Sequence, residues 1–479
     1  MTRPPAEGAP GRNDALFGAV LFVVALVPRL TVALAWAGEP VWDGHYYDFG
    51  ARRIAEGMGY SDDLALHGAL VWHPWCHYPV GYSAFLALFY RLFGAAHAVA
   101  GVANALVGAA LAVVTWALAR RALSPLRSRV AGLLVALHPG LVLYAALVMT
   151  EPLAALLTMT AFLVAVSLPP RRGLVLGALA LGVAALVHPQ TLLCAPALAL
   201  VVVRGRRRVA ALLVAAVVAC GVTLLPVLPW TARNCHVMDG CALVSTNAGW
   251  NLAIGAFPRA TGRFETLRSS DGCREVTGQV QQDRCWLDYG LGQIRAHPWH
   301  WLALVPKKLG FTFDHESFAV EYLHEARPEA WPDARRERGR DTTTLAHRLL
   351  LAGAALGCIA FPSTRRRRGA AAQGALLVVA GALVALAFTA QTPVFWPIAV
   401  FAAVVPWLPL RGAPPWPPAL LLPVWLLATT LVTHAVFFGE DRYHVVLTPV
   451  FALLAAAAFR KPAVAGQGWR RVCDDRVGG

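Results

Sequence analysis

The chain has 479 residues, of which 57% are hydrophobic and 14% charged, with 42 Lys+Arg against 27 Asp+Glu and a formal net charge of +15. A water-soluble chain of this size carries about 25% charged residues, and a disordered one is far poorer in apolar residues. Both classes are excluded, and a polytopic membrane protein remains if the apolar residues gather into segments.

They do gather. A tail at 1–14 precedes apolar segments at 15–36, 96–119, 130–149, 151–168, 173–188, 190–203, 209–229, 346–362, 371–390, 394–410, 419–438 and 443–459. Most approach the ~20 residues that a helix needs to cross hydrocarbon. The pair 173–188 and 190–203 meets at His188-Pro189 as one hairpin or one broken pass. The expected fold is therefore all-α and polytopic, with about 10–13 transmembrane helices. The first segment reads as a retained helix, because Pro28-Arg29 interrupts the run before a signal-like Ala35-Trp36-Ala37. Arg29, near the outer end of that segment, is expected to snorkel to the interface.

Two stretches between the spans are apolar without crossing. Tyr78 to Gly94 is short and carries Arg91, which predicts a helix lying on the outer leaflet. Trp286 to Phe313 is amphipathic, with Trp299, Trp301, Phe311 and Phe313 beside Lys307 and Lys308. It is expected at the membrane surface, with its lysines towards headgroups.

Charge position decides what the basic excess means. Clusters at Arg120-Arg121-Arg127-Arg129, Arg171-Arg172, Arg204-Arg206-Arg207-Arg208, Arg365 to Arg368 and Arg460-Lys461 fall at alternate connections. That is the positive-inside pattern, and no basic stripe on a soluble domain points to nucleic acid. Both termini, 1–14 and 461–479, are then cytoplasmic, in what reads as the cell inner (plasma) membrane. The rest divides into a membrane module at 15–229 with an outer loop at 38–95, a large extracytoplasmic loop at 230–345, and membrane helices at 346–460. Cys235 with Cys241 and Cys273 with Cys285 would close short loops on the outer side, where disulfides persist; free thiols are the alternative. No cysteine pair has the spacing of a zinc site. His73 and His77 have i, i+4 spacing, but Pro74 argues against a regular helix that would bring them onto one metal.

The first outer loop opens with Trp42-Asp43-Gly44-His45-Tyr46-Tyr47-Asp48. A carboxylate just past a membrane helix can take a proton from an acceptor hydroxyl if it is held against the reacting centre. Glu151, at the start of a span, either lines the same cavity or caps its helix.

The stretch from Asp43 through Tyr46-Tyr47, Ala51, Ile54-Ala55, Gly57 and Gly59-Tyr60 resembles the first outer loop of the GT-C membrane glycosyltransferases. The likeness is closest to glycosyltransferase family 39, the protein O-mannosyltransferases, and to the aminoarabinose transferase-like branch. In the family's order follow His77-Tyr78-Pro79-Val80-Gly81-Tyr82, Leu92-Phe93-Gly94 and Met149-Thr150-Glu151-Pro152. Next come Pro229 to Asn234, Ser245 to Leu252 with Asn247 and Asn251, and Asp441-Arg442-Tyr443. Many relatives carry Asp-Glu where this chain has Asp43-Gly44, which leaves metal use and subfamily open.

The resemblance implies transfer of a hexosyl or pentosyl group, with inversion, from a polyprenyl-phosphate donor to a glycan, lipid or protein acceptor on the outer face. Asp43 is then the general base. Arg233 and Arg442, at outer helix ends, are candidates to hold the donor phosphate, with Lys307 and Lys308 as further point charges. Tyr46, Tyr47, His77, Tyr82, Glu151, Asn247, Asn251 and Tyr443 are candidates to line the substrate cavity. No metal ligand set and no cofactor is expected. Two other readings stay open: a lipid-linked-sugar flippase or transporter, and an inactive assembly subunit of the same fold. Polar residues gathered at the outer rim rather than at mid-membrane depth favour the enzyme.

Overall fold

The computed structural model describes residues 12–66, 68–202, 209–359, 367–409 and 415–459. The basic residues Arg204 and Arg206 to Arg208, Arg365 and Arg366, and Arg460-Lys461 lie outside the described residues, as does the tail 461–479.

The described chain is helical. Five helices are long and apolar enough to cross a membrane: Arg12–Trp36, His97–Ala119, Pro170–Val187, Ala370–Thr389 and Pro418–Val436. Two more candidates are bent pairs. Pro125–Leu137 turns through 52° into Pro139–Ala146, and Val209–Leu224 turns through 53° into Leu228–Val237. Pro139 and Pro226 sit at these breaks, where a residue without an N–H interrupts the helical ladder. Val80–Phe93, Glu151–Ser167, Pro189–Val202 and Trp396–Trp407 are shorter apolar helices.

Several sequence boundaries move. The expected span 130–149 is the first bent pair. The span 346–362 belongs to a longer helix, Asp333–Gly357, whose first half is polar. The span 443–459 opens as a 3₁₀ turn, Asp441–Leu447, before Thr448–Ala456. One small β element departs from the all-α expectation. Ser61–Leu66 pairs antiparallel with Ala69–Pro74, in register from Ser61 opposite Pro74 to Leu66 opposite Ala69, around Gly68 at φ +82°.

Small residues let the central helices approach closely. A Cβ on Gly101 would meet the Cβ of Ala33 at 3.0 Å, and one on Gly108 would come within 2.4 Å of Arg29 Nε. Arg29 therefore does not snorkel. It is fully buried and donates to the carbonyls of Ala25 (2.8 Å), Ala136 (2.6 Å) and Val135 (2.9 Å). The Val135 carbonyl would ordinarily accept from residue 139, but that residue is proline. The guanidinium supplies the missing donor.

Asp14 pairs with Arg120 at 2.6 Å, and Arg127 donates to the Phe459 carbonyl at 2.9 Å. Residues 14, 120–127 and 459 thus share one end of the bundle. The stretch Trp286 to Phe313 is not one surface helix. It breaks into Gln279–Ala296, Pro298–Ala303 and Val305–Phe313, with Trp286 and Phe313 fully buried and Trp299 exposed. Both cysteine pairs, Cys235–Cys241 and Cys273–Cys285, are disulfides.

Candidate active site

Asp43 is the first residue of the helix Asp43–Ala55, where the positive end of the helix dipole favours a carboxylate. The residue before it, Trp42, is held at φ 51°, a left-handed conformation that costs a bulky residue free energy. Packing holds it there: its indole lies 5.4 Å from the Phe318 ring and edge-on to Tyr322 at 5.8 Å. Gly44 faces the same tyrosine. A Cβ at that position would stand 2.3 Å from the Tyr322 hydroxyl and 2.9 Å from the Val148 carbonyl. A glutamate therefore has no room beside Asp43, which explains sterically why this chain departs from the Asp-Glu pattern.

The Asp43 carboxylate has two partners from distant parts of the chain. Oδ1 accepts from the Tyr78 hydroxyl at 2.7 Å, and Oδ2 accepts from Arg442 Nη1 at 2.5 Å. Arg442 lies between carboxylates: its Nε is 2.6 Å from Glu440 Oε2, an ion pair without hydrogen-bond alignment. The guanidinium carbon also stands 5.2 Å from the Phe318 ring centre and 5.0 Å from that of Tyr443. Asp441 fixes this arrangement. Its Oδ2 accepts from the backbone N–H groups of Ser317 and Phe318 and from the Ser317 hydroxyl, which seats Phe318 under the arginine. Glu151 begins the helix Glu151–Ser167, is buried, and has one carboxylate oxygen without a hydrogen-bond partner.

Burial by itself would push the Asp43 pKa up. The charge of Arg442 and the hydrogen bonds from Tyr78 and Arg442 outweigh it and hold the carboxyl below its ordinary range. Burial pushes the Tyr78 phenol up, as does the neighbouring Asp43 charge, so the phenol stays protonated as a donor. Burial also raises Glu440, with Arg442 opposing, and lowers His77, so the imidazole is neutral near pH 7.

The other sequence candidates divide sharply. Tyr46 is exposed and stacks on Tyr78 at 5.4 Å, while Tyr47 is buried edge-on to Tyr78 at 5.2 Å. His77 packs against Tyr78 and Trp250. Tyr443 lies under Arg442 and stacks on His434 at 4.2 Å. Tyr82 is buried in the bundle, bonded to Asn104 at 3.0 Å. Asn247 precedes the helix Ala248–Ala256 and accepts from the Ser245 hydroxyl; Asn251 lies in that helix. His73 bonds to Asp62 at 2.7 Å on the hairpin, apart from His77.

The basic candidates separate in the same way. Only Arg442 touches Asp43. Arg233 donates to the carbonyls of Tyr60 (2.7 Å) and Trp75 (2.9 Å) and lies over Trp230, so it ties the second loop to the first. Lys308 does not face headgroups. It is fully buried, with Nζ 3.1 Å from the Val436 carbonyl and 3.4 Å from that of Ala435, at the C-terminal end of the helix Pro418–Val436. Burial lowers its pKa to about 7. Lys307 is exposed. Sequence reasoning missed Glu440 and Tyr78 as members of the site. Tyr78 adjoins His77, and the available signal for Glu440 was a carboxylate two residues from Arg442.

A bundle of apolar helices carrying an acid–arginine–acid centre beyond their ends defines a polytopic membrane protein with a polar site at one rim. Within that class, residues 77–231 match the family model described as dolichyl-phosphate-mannose-protein mannosyltransferase, so the resemblance read from the motifs is met over this stretch. Asp43 and Arg442 lie on either side of it. No curated protein matches the sequence. Among solved structures, the chain is similar to the archaeal oligosaccharyltransferase AglB from Archaeoglobus fulgidus, in complex with an inhibitory peptide and a dolichol-phosphate. The identity is 13% and the TM-score 0.46, over 94% of this chain and 50% of that one. It is also similar to ArnT from Cupriavidus metallidurans bound to undecaprenyl phosphate, at 18% identity and a TM-score of 0.34, over 94% of this chain and 78% of that one. The chain thus spans about half the length of the oligosaccharyltransferase.

Proposed function

We propose that the protein is a membrane glycosyltransferase that moves a sugar from a polyprenyl-phosphate donor to an acceptor on the extracytoplasmic face, with inversion. The observation that carries this reading is the Asp43 carboxylate held jointly by Arg442 and Tyr78. Asp43 takes the proton of the acceptor O–H or N–H. The freed electron pair attacks the anomeric carbon opposite the C1–O–P bond, and polyprenyl phosphate leaves with the electrons of the broken bond. The leaving phosphate is a weak base, so its departure needs positive charge more than a proton donor.

Arg442 is that charge, and the carboxylates of Asp43 and Glu440 pair with it. The arriving phosphate exchanges with them for the guanidinium, which donates to two phosphate oxygens as readily as to a carboxylate. The exchange also releases Asp43 from the cation that depresses its basicity, so the base is strengthened only when donor is bound. Tyr46 and His77, on either side of Tyr78, and Trp250, against His77, offer faces and edges to the sugar or acceptor. The two disulfides within 230–345 support an oxidising, outward location for this end of the bundle.

The test is Asp43→Asn in protein reconstituted with a polyprenyl-phosphate sugar. Transfer should fall at least ~10³-fold with donor binding retained. Full transfer by the variant would overturn the mechanism. Donor binding without transfer by the unmutated protein, over a broad acceptor panel, would favour a transporter or an inactive subunit.

A further inference from the structure

A second buried polar cluster lies beyond Phe318, on the far side of the segment that seats Arg442. Glu316 is at its centre, in the turn between the helices Val305–Phe313 and Phe318–Ala326. Three histidines surround it, each from a different part of the chain. His138 stands at the break after Pro125–Leu137, His347 in Asp333–Gly357, and His444 two residues past Arg442. The four side chains are 4% exposed or less.

Hydrogen bonding fixes which nitrogen carries a hydrogen in two of these rings. His444 Nδ1 lies 2.6 Å from the Thr312 carbonyl, and His347 Nε2 lies 2.9 Å from the Phe313 carbonyl. A carbonyl only accepts, so those two nitrogens carry the hydrogens. In a neutral imidazole the opposite nitrogen is then a bare lone pair. His444 Nε2 and His347 Nδ1 lie 2.9 and 3.8 Å from the same oxygen, Glu316 Oε2. The other oxygen, Oε1, has no hydrogen-bond partner and lies 3.8 Å from His138 Nδ1. Neither nitrogen of His138 has a hydrogen-bond partner either. Electron-rich atoms enclosed together in this way repel one another unless a cation lies among them.

We propose that Glu316, His347 and His444 form a site for a divalent transition ion of the zinc class, with His138, 3.8 Å from the other Glu316 oxygen, as the adjoining fourth donor. Imidazoles with one carboxylate suit such an ion rather than calcium or magnesium, which take oxygen donors. Ligands at ~2.0–2.1 Å in a tetrahedron stand about 3.3 Å apart, and the 2.9 and 3.8 Å separations of His444 and His347 from Glu316 Oε2 bracket that value. The donor atoms of Glu316, His347 and His444 all lie within 4.8 Å of one another. Backbone carbonyls orient two of the rings, as they do for metal-bound histidines generally. Room for the carboxylate comes from Gly140, where a Cβ would stand 1.5 Å from Glu316 Oε1. The ion would join four segments directly behind Phe318 and Arg442. It is a positioning site, separate from the carboxylates that would handle substrate.

The test uses the full chain in detergent, stripped with chelator and reloaded with Co²⁺. One ion per chain should bind, with the strong visible absorption of four-coordinate cobalt. Glu316→Gln and His347→Ala should each weaken binding at least tenfold, while Asp43→Asn should leave it unchanged. Failure of the stripped protein to take up Co²⁺ would overturn the proposal and leave a proton as the cation. Unchanged affinity in Glu316→Gln, which keeps the side-chain shape, would also overturn it by placing bound metal elsewhere. Loss of binding in Asp43→Asn would do the same by moving the ion to the acid–arginine centre. None of these readings depends on sugar transfer.

Discussion

Arg442 and Arg233 occupy two regions with the same residue type and opposite surroundings. Arg233 spends its donors on the carbonyls of Tyr60 and Trp75. Those oxygens belong to the backbone and cannot turn away, and the Tyr60 oxygen accepts from the Trp75 N–H as well, at 3.2 Å, so the guanidinium works as a staple between loops. Arg442 faces the carboxylates of Asp43 and Glu440. Carboxylates on side chains can turn away, and phosphate oxygens can take their place with the same geometry. What a buried cation can do is thus decided by whether its partners are exchangeable.

The contrast can be broken by substitution. Arg442→Lys keeps the charge but loses the fork, and should lower kcat/KM for transfer by about 10²–10³-fold; a rate within threefold of the parent would remove Arg442 from the chemistry. Arg233→Gln should instead cost stability, about 1–3 kcal/mol, because the Trp75 carbonyl is left without a donor and the Tyr60 carbonyl with one fewer. The readout is the unfolding midpoint, with the rate per folded molecule preserved. A selective loss of donor affinity at unchanged stability would put Arg233 back in the phosphate site.

The smallest effect sharpens the pairing itself. Tyr78→Phe removes a hydrogen bond that favours ionised Asp43, worth about 1 kcal/mol, or about 0.7 of a pH unit. The carboxyl pKa rises, and transfer requires the ionised form. The acid limb of the pH–rate profile should therefore move to higher pH, with only a few-fold loss at neutral pH. A limb that stays in place or moves down would contradict the assignment of Asp43 as base.

Much of this centre is legible in the sequence. Asp43 and Arg442 were each singled out from local motifs, because acidic and basic residues just beyond apolar helices are few and conspicuous. Their direct contact was not legible, since nothing local links positions so far apart. Arg233 looked equally suitable because both arginines sit at helix ends, and only the fold shows which partners each one meets. Lys308 was misplaced because an amphipathic stretch reads the same whether its polar stripe faces headgroups or the open carbonyls of another helix.

Among the spans, long apolar runs gave correct positions for most helices. The bends at Pro139 and Pro226 fall inside the runs 130–149 and 209–229, each of which reads as one span. The Glu316–histidine cluster was invisible for a further reason: its four members come from separate segments, and none has metal-ligand spacing to a neighbour.

Asp43 and Arg442 are separated by 399 positions in the chain. At an elongation rate of about 5–20 residues per second, roughly 20–80 s of synthesis separate the two residues. Through that interval the first loop holds its acid without the cation that restrains it. The centre is therefore among the last features of the molecule to come into being. No nascent fragment ending before Arg442 contains both halves, so competence arrives all at once, when the closing turn after Pro418–Val436 docks onto a first loop that has been waiting since the start of translation.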